Sequence, residues 1–473
     1  MGYGGYVPRY RLTRREFSKA WGTVGEVEEK AVPGFDEDVL TMAAEACFNA
    51  LDAASIDPSD IDGIFFASSS APHVGDLNSA FLAAVLGLRE DVRLSEFTGV
   101  TKAGTMALWN GLQAVLSGSI RTGLVVASEH LLGAGGSSLQ STFGAGAAAF
   151  LLGHKEVIAH PSAFETFNSY FPYRWRNASE PFFQDYGDPR FEREYGFERH
   201  VLGAVNLLAD KTGVKPQDCH HVILPQPDER LAQGLMKRLQ LKREQVDGGF
   251  LISKIGDTGA ALPLMGLVRV LDAASADETI LMGGYSTGAG CDLFVFKTTE
   301  RIKAKGPLYR PIDVYLGRKE YVDYPFAQRL EGFTKRQGEP VLIPTSLHGY
   351  WRSFRSRLGF IGGRCRRCGA VNYPVRKLIC MECHEESKFD EVRLNRRGEI
   401  YTIVSVHYAP SGVEGPYAIA VVDVGDGVRV LGRMADCDPD VPKIGAPVEI
   451  ILRKLMEREG LIDYGYAFRP LMT

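Results

Sequence analysis

The chain has 473 residues, room for two to four domains at about 150 residues each. Hydrophobic residues make up 45% and charged residues 24%, a globular composition that excludes a disordered chain. Lys and Arg number 54 against 58 Asp and Glu, a net charge of −4, which excludes a generally basic protein that coats nucleic acid. No apolar run reaches the ~18–20 residues of a membrane span. The opening MGYGGYVPRYRL has no apolar signal-peptide core. Eight Cys are too few for a disulfide scaffold in a chain this long. A cytoplasmic protein with neither membrane nor nucleic-acid partner is expected.

Asp36, Glu37 and Asp38 precede an apolar stripe of Val39, Met42, Ala43, Ala46, Cys47, Ala50, Leu51 and Ala54. Offsets of three and four predict a helix with acids at its positive end. Cys47 lies on that stripe and reads as core. Asp57-Pro58 stops the helix. Short apolar runs follow at GIFFAS (63–68), GLVVAS (123–128), HVILPQ (221–226) and TILMGG (279–284). Separated by helical segments, they predict a parallel sheet buried on both faces.

These pieces repeat. IDPSDIDGIFF (56–66) is matched by VKPQDCHHVIL (214–224), and AVLSGSIRTGLVVAS (114–128) by RVLDAASADETILMG (269–283). STFGAGAAAFLL (141–152) is matched by YSTGAGCDLFVF (285–296), with a shared Gly-Ala-Gly. The order is kept, which predicts a duplicated α/β unit. Residues 300–345 read as a connector with Pro at 307, 311, 325, 340 and 344. A short helix is predicted in HGYWRSFRSRL (348–358). Beyond 390 the strands EIYTIVSVHY, YAIAVVDV, VRVLGRMAD and PVEIILRK predict a small all-β barrel of the oligonucleotide/oligosaccharide-binding type.

Cys365-x2-Cys368 and Cys380-x2-Cys383 flank eleven residues. Each knuckle points two thiolates at one centre, and two knuckles complete a tetrahedron suited to Zn²⁺. Four thiolates leave no open position, so the metal is structural. His384 reads as a bystander. Arg352, Arg355, Arg357, Arg364, Arg366, Arg367, Arg376 and Lys377 surround the first knuckle, with no acid from 350 to 377. They read as a solvated face, a contact for the phosphates of a nucleotide-bearing ligand, or a docking face for an acidic partner.

TGVTKAGTMALWNGL (98–112), GAGAAAFLLG (144–153), HVILPQPDERLA (221–232), IGDTGAALPLMGL (255–267) and YSTGAGCDLF (285–294) together resemble the thiolase superfamily. Within it the likeness is strongest to hydroxymethylglutaryl-CoA synthase of the archaeal type. YVPRYRL (6–12), DEDVLTMAAEA (36–46) and DVYLGRKEYVDYPFA (313–327) fit the same family. CRRCGAVNYPVRKLICMEC and the closing YGYAFRP resemble a zinc-ribbon and barrel family that accompanies thiolase-type enzymes. The resemblance implies a thiolase-like duplicated five-layered α/β domain over 1–335, a linker helix and zinc ribbon over 336–390, and an OB-fold barrel over 391–473. It implies an acyl-CoA ligand, a homodimer and a thiolase-type partner.

The departures from the family matter more. Its synthases place Cys in a context like CKAGT, where this chain has Thr101-Lys102-Ala103-Gly104-Thr105. The catalytic His sits in His-Gln-Pro, where this chain has Pro225-Gln226-Pro227. The Glu on the early strand falls at about Ser69, and the ketoacyl-synthase relatives' Asn falls at Asp257. Acyl transfer through an enzyme thioester needs a thiolate, and a Thr hydroxyl without an adjacent base is a poor substitute. A site that only polarises a thioester carbonyl, with a general base, suits aldol or retro-aldol chemistry. Gly288, Ala289 and Gly290 occupy the family's Gly-rich turn beside the reacting carbonyl. Asp257 is the first candidate base, with His130, Tyr173 and Thr101 behind it. Lys102 is a candidate for CoA phosphates. A non-catalytic CoA-binding or scaffold subunit and a direct acyltransferase are the alternatives.

Overall fold

The computed structural model describes all residues except 76, 178–179, 335–345, 376–377, 410–413, 459–460 and 473. They form two compact units, one of residues 1–34, 38–80 and 90–333, the other of 35–37, 81–89 and 334–473. The expected boundary at 335, with Pro340 and Pro344, falls outside the described residues.

The first unit holds two sheets. Strands β1 (Gly2–Tyr6), β2 (Gly63–Ala67), β3 (Arg93–Phe97), β4 (Gly123–His130) and β5 (Ala145–Leu152) take the order β1-β5-β4-β2-β3. Strands β6 (Ala159–Asn168), β7 (His221–Ile223), β8 (Thr279–Ser286) and β9 (Gly290–Thr298) take the order β7-β8-β9-β6. The pairings match one for one except at β3, which runs parallel to β2 and has no counterpart in the second sheet. β2 runs parallel to β4, as β7 does to β8. β4 runs antiparallel to β5, as β8 does to β9. β1 and β6 close the edges antiparallel. The repeat is therefore a repeat of topology. The four apolar runs expected to run parallel do so in two pairs, and the Gly-Ala-Gly segments lead into antiparallel strands that make both sheets mixed.

Helices α1 (Val39–Ala54), α2 (Ala103–Leu116), α3 (Arg199–Thr212) and α4 (Leu262–Ala273) complete the layers. α1 lies on β1, β4 and β5, and α3 on β6 and β9. α4 touches strands of both sheets and also α2, so these two helices form the central layer. α1 begins in a capping box. The Asp38 carboxylate accepts from the N–H groups of Leu40 and Thr41, each at 3.0 Å, and the Thr41 hydroxyl oxygen accepts from Asp38 N–H at 2.8 Å. The predicted stripe understates its burial, since α1 is buried on nearly every face, Cys47 included. The reason is the connector. Its part up to 333 folds over α1, with Gly306 N–H donating to Ala53 O at 2.8 Å. Asn49 donates to the Tyr315 hydroxyl at 2.9 Å.

The turn before α4 approaches its neighbours very closely. A Cβ on Gly104 of α2 would stand 2.0 Å from Ala260 O, and one on Gly144 would stand 1.9 Å from Ile255 O. Two backbone bonds fix the same turn: Asp257 N–H donates to Thr142 O at 2.8 Å, and Gly144 N–H to Asp257 O at 2.9 Å.

In the second unit, strands Ile361–Cys365, Val371–Asn372 and Phe389–Arg393 make the ribbon, preceded by helix Leu347–Arg357. Five antiparallel strands make the barrel: Arg429–Arg433, Tyr417–Asp423, Arg397–Val406, Pro447–Arg458 and Leu461–Pro470 in sheet order. The last of these, which contains YGYAFRP, carries no strand expectation of its own. The barrel nearly closes where Ala435 N–H donates to Phe468 O at 2.7 Å. Residues 35–37 belong to this unit through a buried charge network. Arg453 pairs with Asp436 at 2.8 Å and Glu37 at 3.4 Å, and Arg469 pairs with Glu449 at 2.7 Å. Among the described residues no helix is long and apolar enough to cross a membrane.

Gly104→Ala is expected to destabilise the chain by about 1–3 kcal/mol, the cost of overpacking against fixed backbone. Gly234→Ala, in helix Glu229–Arg238 where a Cβ meets nothing, is expected to be neutral or stabilising. Thermal melts followed by circular dichroism compare the two.

Candidate active site and metal centre

The turns that precede α2 and α4 face a small common cavity of about 20 Å³ in the first unit. Thr101, Arg174, Pro225, Asp257, Tyr285 and Thr287 line it. An adjoining cavity of about 100 Å³ shares Thr101, Arg174 and Thr287 and adds Ser69, Arg176 and Gly288. Duplication explains the meeting. Thr101 and Asp257 stand at corresponding places in the two halves, each just before a central helix. Among the described residues no Cys or His lines either cavity.

Asp257 is buried at 5% exposure. One carboxylate oxygen accepts from Gly259 N–H at 2.8 Å, which caps the turn into α4. The other faces Arg174 Nη1 at 3.5 Å. Arg174 Nη2 stands 3.7 Å from Glu192 Oε1. One buried guanidinium thus serves two buried carboxylates. Burial pushes the Asp257 carboxyl up to about 6, against the pull of Arg174 and the Gly259 N–H. Burial pushes Glu192 up to about 7, again against Arg174. Burial works against the charge on Arg174 itself, but Glu192 and Asp257 outweigh it and hold it above its usual value. Such a cluster can take or release a proton near neutral pH.

The other expected site residues fall in different places. Thr101 lines both cavities, and Pro225 lines the first of them. Gln226 is spent on the backbone. Its oxygen accepts from Leu251 and Ile252 N–H at 2.9 and 3.1 Å, and its nitrogen donates to Gly249 O at 2.8 Å. His130 and Tyr173 line neither cavity. His130 ends β4, where its backbone N–H donates to the Ser70 hydroxyl at 2.9 Å. Tyr173 is buried with its ring stacked on Phe171, and burial raises its phenol. Of the Gly-rich turn, Gly288 reaches the second cavity. Ala289 N–H is taken by Ser286 O at 3.2 Å. Gly290 has φ of 119°, and a Cβ there would stand 2.3 Å from Phe167 O.

Two expected phosphate contacts are committed elsewhere. Lys102 is buried and donates to Asp292 at 2.9 Å and to Asn168 at 2.7 Å. A cation at the start of α2 opposes the helix dipole, and Asp292 compensates it. Five arginines of the ribbon face also have acid partners, most of them at the surface. Arg355 meets Glu391, Arg357 meets Asp463, Arg364 meets Asp426, Arg366 meets Asp390 and Arg367 meets Glu385. Acids absent from 350–377 are supplied by segments that fold back onto it. Arg376 and Lys377 lie outside the described residues.

The sulfurs of Cys365, Cys368, Cys380 and Cys383 all lie within 4.8 Å of one another. A tetrahedron with metal–sulfur bonds of about 2.3 Å has edges of about 3.8 Å. Cys368 and Cys380 are 3.7 Å apart. The N–H groups of Arg367 and Glu382 each lie 3.4 Å from a sulfur, and the Asn372 amide 3.5 Å from Cys380. Such donors favour the thiolate form. The chemistry and spacing fit a closed four-sulfur metal site.

Sequence reasoning missed Arg174, Glu192, Glu129 and Tyr285. Arg174 stands next to Tyr173 in the FPYRWR segment, and a strand pairing turns it to the site. Glu192 opens a π-helical turn, Glu192–Glu198, with no sequence mark of its own. Glu129 is wholly buried behind Ser69. It accepts from the hydroxyls of Ser68 and Ser69 at 3.2 and 2.9 Å, from Ser69 N–H at 2.8 Å and from the Ser70 hydroxyl. A carboxylate thus stands beside Ser69 from the adjacent strand. Three serines one strand away from a lone Glu in ASEHLL were the available signal.

Residues 354–389 match the family model "ChsH2, rubredoxin-like zinc ribbon domain", and residues 391–453 match "ChsH2, C-terminal OB-fold domain". The hydroxymethylglutaryl-CoA synthase of Pyrococcus horikoshii is 34% identical over 327 residues, 68% of this chain and 93% of that protein. That of Methanocaldococcus jannaschii is 35% identical over 331 residues, 68% of this chain and 95% of that protein. Among solved structures, an HMG-CoA synthase complexed with CoA aligns with a TM-score of 0.63 at 19% identity, covering 73% of this chain and 94% of that one. The 3-oxoacyl-[acyl-carrier-protein] synthase III of Aquifex aeolicus aligns at 0.55 and 21% identity, covering 63% of this chain and 98% of that one. These solved structures establish the thiolase-like fold.

Asp292→Asn leaves Lys102 buried without its counter-charge, and a loss of about 3–5 kcal/mol is expected in urea unfolding. Asp390→Asn removes an exposed partner of Arg366 and is expected to leave the urea midpoint nearly unchanged.

Proposed function

The chain belongs to the hydroxymethylglutaryl-CoA synthase family, and from that premise we propose that it makes or breaks a carbon–carbon bond in an acyl-CoA by aldol or retro-aldol chemistry, without a Cys acyl-enzyme. The observation that carries this reading is Asp257, buried on the cavity wall against Arg174, in a cavity that among the described residues has neither Cys nor His. The family's condensing chemistry needs a thiolate and an imidazole. A carboxylate that titrates near neutral pH suits a hydroxyl proton instead.

In the cleavage direction, the Asp257 carboxylate takes the proton of the β-hydroxyl. The carbinol oxygen becomes a carbonyl as the Cα–Cβ bond breaks. The electron pair of that bond moves into the thioester and comes to rest on its oxygen as an enolate. The proton held by Asp257 then returns to Cα, so the carboxylate is regenerated and no atom is gained or lost. Arg174 holds the carboxylate in place through the proton's arrival and departure. In the condensation direction the same steps run in reverse.

The four-sulfur site in the ribbon is assigned to Zn²⁺, held by Cys365, Cys368, Cys380 and Cys383. Four thiolates leave it no position for substrate, so it stabilises the small second unit.

Asp257→Asn is expected to lower turnover of a β-hydroxyacyl-CoA about 10²–10⁴-fold with the circular dichroism unchanged. The base is needed ionised, and its carboxyl sits at about 6, so activity in the parent chain rises as pH increases through about 6 and is lost below it. That limb of the pH profile disappears in the variant. Unchanged turnover in a folded Asp257→Asn chain contradicts the assignment. Elemental analysis is expected to find about one zinc per chain, and Cys365→Ser to lose it together with the cooperative melting of the second unit.

A further inference from the structure

One buried polar group on the cavity wall has no part in the steps above. Tyr285 follows Gly283 and Gly284 in β8, and all three line the cavity with Asp257 and Arg174. The residue is 8% exposed, and its hydroxyl oxygen is buried with no hydrogen-bond partner among the described residues. Its ring is held edge-on by Phe197, with centroids 5.2 Å apart, and lies beside His200 at 6.2 Å. Glu192, Arg174, Cys291, Tyr173 and His200 are titratable groups around it.

A buried hydroxyl without a partner costs about 1–3 kcal/mol of folding free energy. Phenylalanine fills the same ring site without that cost. A hydroxyl kept under those terms in a residue that lines the cavity is a donor that the folded chain leaves without an acceptor. We infer that the Tyr285 hydroxyl donates a hydrogen bond to the thioester oxygen on which the enolate charge develops.

This rests on the acyl-CoA reading of the same cavity. Burial holds the phenol proton far above neutral pH, with Glu192 adding to the effect, so Tyr285 stays a donor throughout. It transfers no proton. The electron pair from the breaking Cα–Cβ bond reaches the thioester oxygen, and the O–H of Tyr285 meets it there. Asp257 alone carries the proton from the hydroxyl to Cα. The same donor serves when Asp257 removes an α-proton from an acyl-CoA that has no β-hydroxyl, since the identical enolate forms.

The test uses the full chain with acetyl-CoA and propionyl-CoA in D₂O, reading α-deuterium incorporation by mass spectrometry. The parent chain is expected to exchange. Tyr285→Phe is expected to exchange about 10²–10³-fold more slowly, the usual loss for one oxyanion donor. Its melting temperature is expected to stay level or rise, because no hydrogen bond of the free protein is lost. A melting temperature several degrees lower assigns the hydroxyl a structural partner and overturns the inference. Exchange at the parent rate in Tyr285→Phe also overturns it, as does a parent chain that exchanges neither probe. If the parent chain exchanges but cleaves no β-hydroxyacyl-CoA, the carbon–carbon reading fails while the role of Tyr285 stands. If the parent cleaves and Tyr285→Phe matches it in both assays, the reading stands and the role of Tyr285 fails.

Discussion

A single guanidinium governs the chemistry of the cavity. Arg174 is buried between Asp257 and Glu192, at 3.5 and 3.7 Å. Without it two carboxylates would be buried without compensation, a cost that proteins avoid by neutralising one of them. With it both remain near the pH at which they can exchange protons. Its placement depends on two unrelated pieces of the fold. The turn that carries Asp257 is locked against α2 and β5 by the glycines at 104 and 144, and the segment carrying Arg174 pairs as a two-residue strand with Gln184–Asp185. Rigid backbone on one side and a paired strand on the other keep the two charges in register.

The duplicated fold explains why chemistry gathers at this point. Each half ends a loop just before its central helix, and the two loops face one cavity. In this chain the first loop carries Thr101 and the second carries Asp257, so the polar burden of the site shifts from the first half to the second. The cation next to Thr101 follows the same logic. Lys102 is withdrawn into an internal pair with Asp292 and lines neither cavity.

Much of the architecture was legible in the chain because it rests on local pattern. The matched pieces 56–66 and 214–224 carry the same turn and strand chemistry, and they fold to the same pairings. Two Cys-x2-Cys knuckles bring four sulfurs together because each knuckle is a local turn. Partner choice across the fold was not legible. The arginines at 355, 364, 366 and 367 look like a free basic face until acids from 385–426 arrive beside them. Lys102 reads as a phosphate ligand until β9 brings Asp292 to it. Arg174 and Glu192 become a site through a strand pairing and a π-helical turn that leave no period in the sequence. Tyr285 opens the segment YSTGAGCDLF, yet an unpartnered hydroxyl is visible only once its surroundings are known.

The central claim is that carbon–carbon chemistry proceeds here with no covalent acyl-enzyme. Intact-mass spectrometry of the full chain, quenched during turnover of an isotopically labelled β-hydroxyacyl-CoA, tests it directly. The expected result is labelled acyl-CoA product accumulating while the chain keeps its unmodified mass at every time point. A labelled acyl adduct on the chain, mapped to the peptide containing Thr101 and formed as fast as product appears, would contradict it.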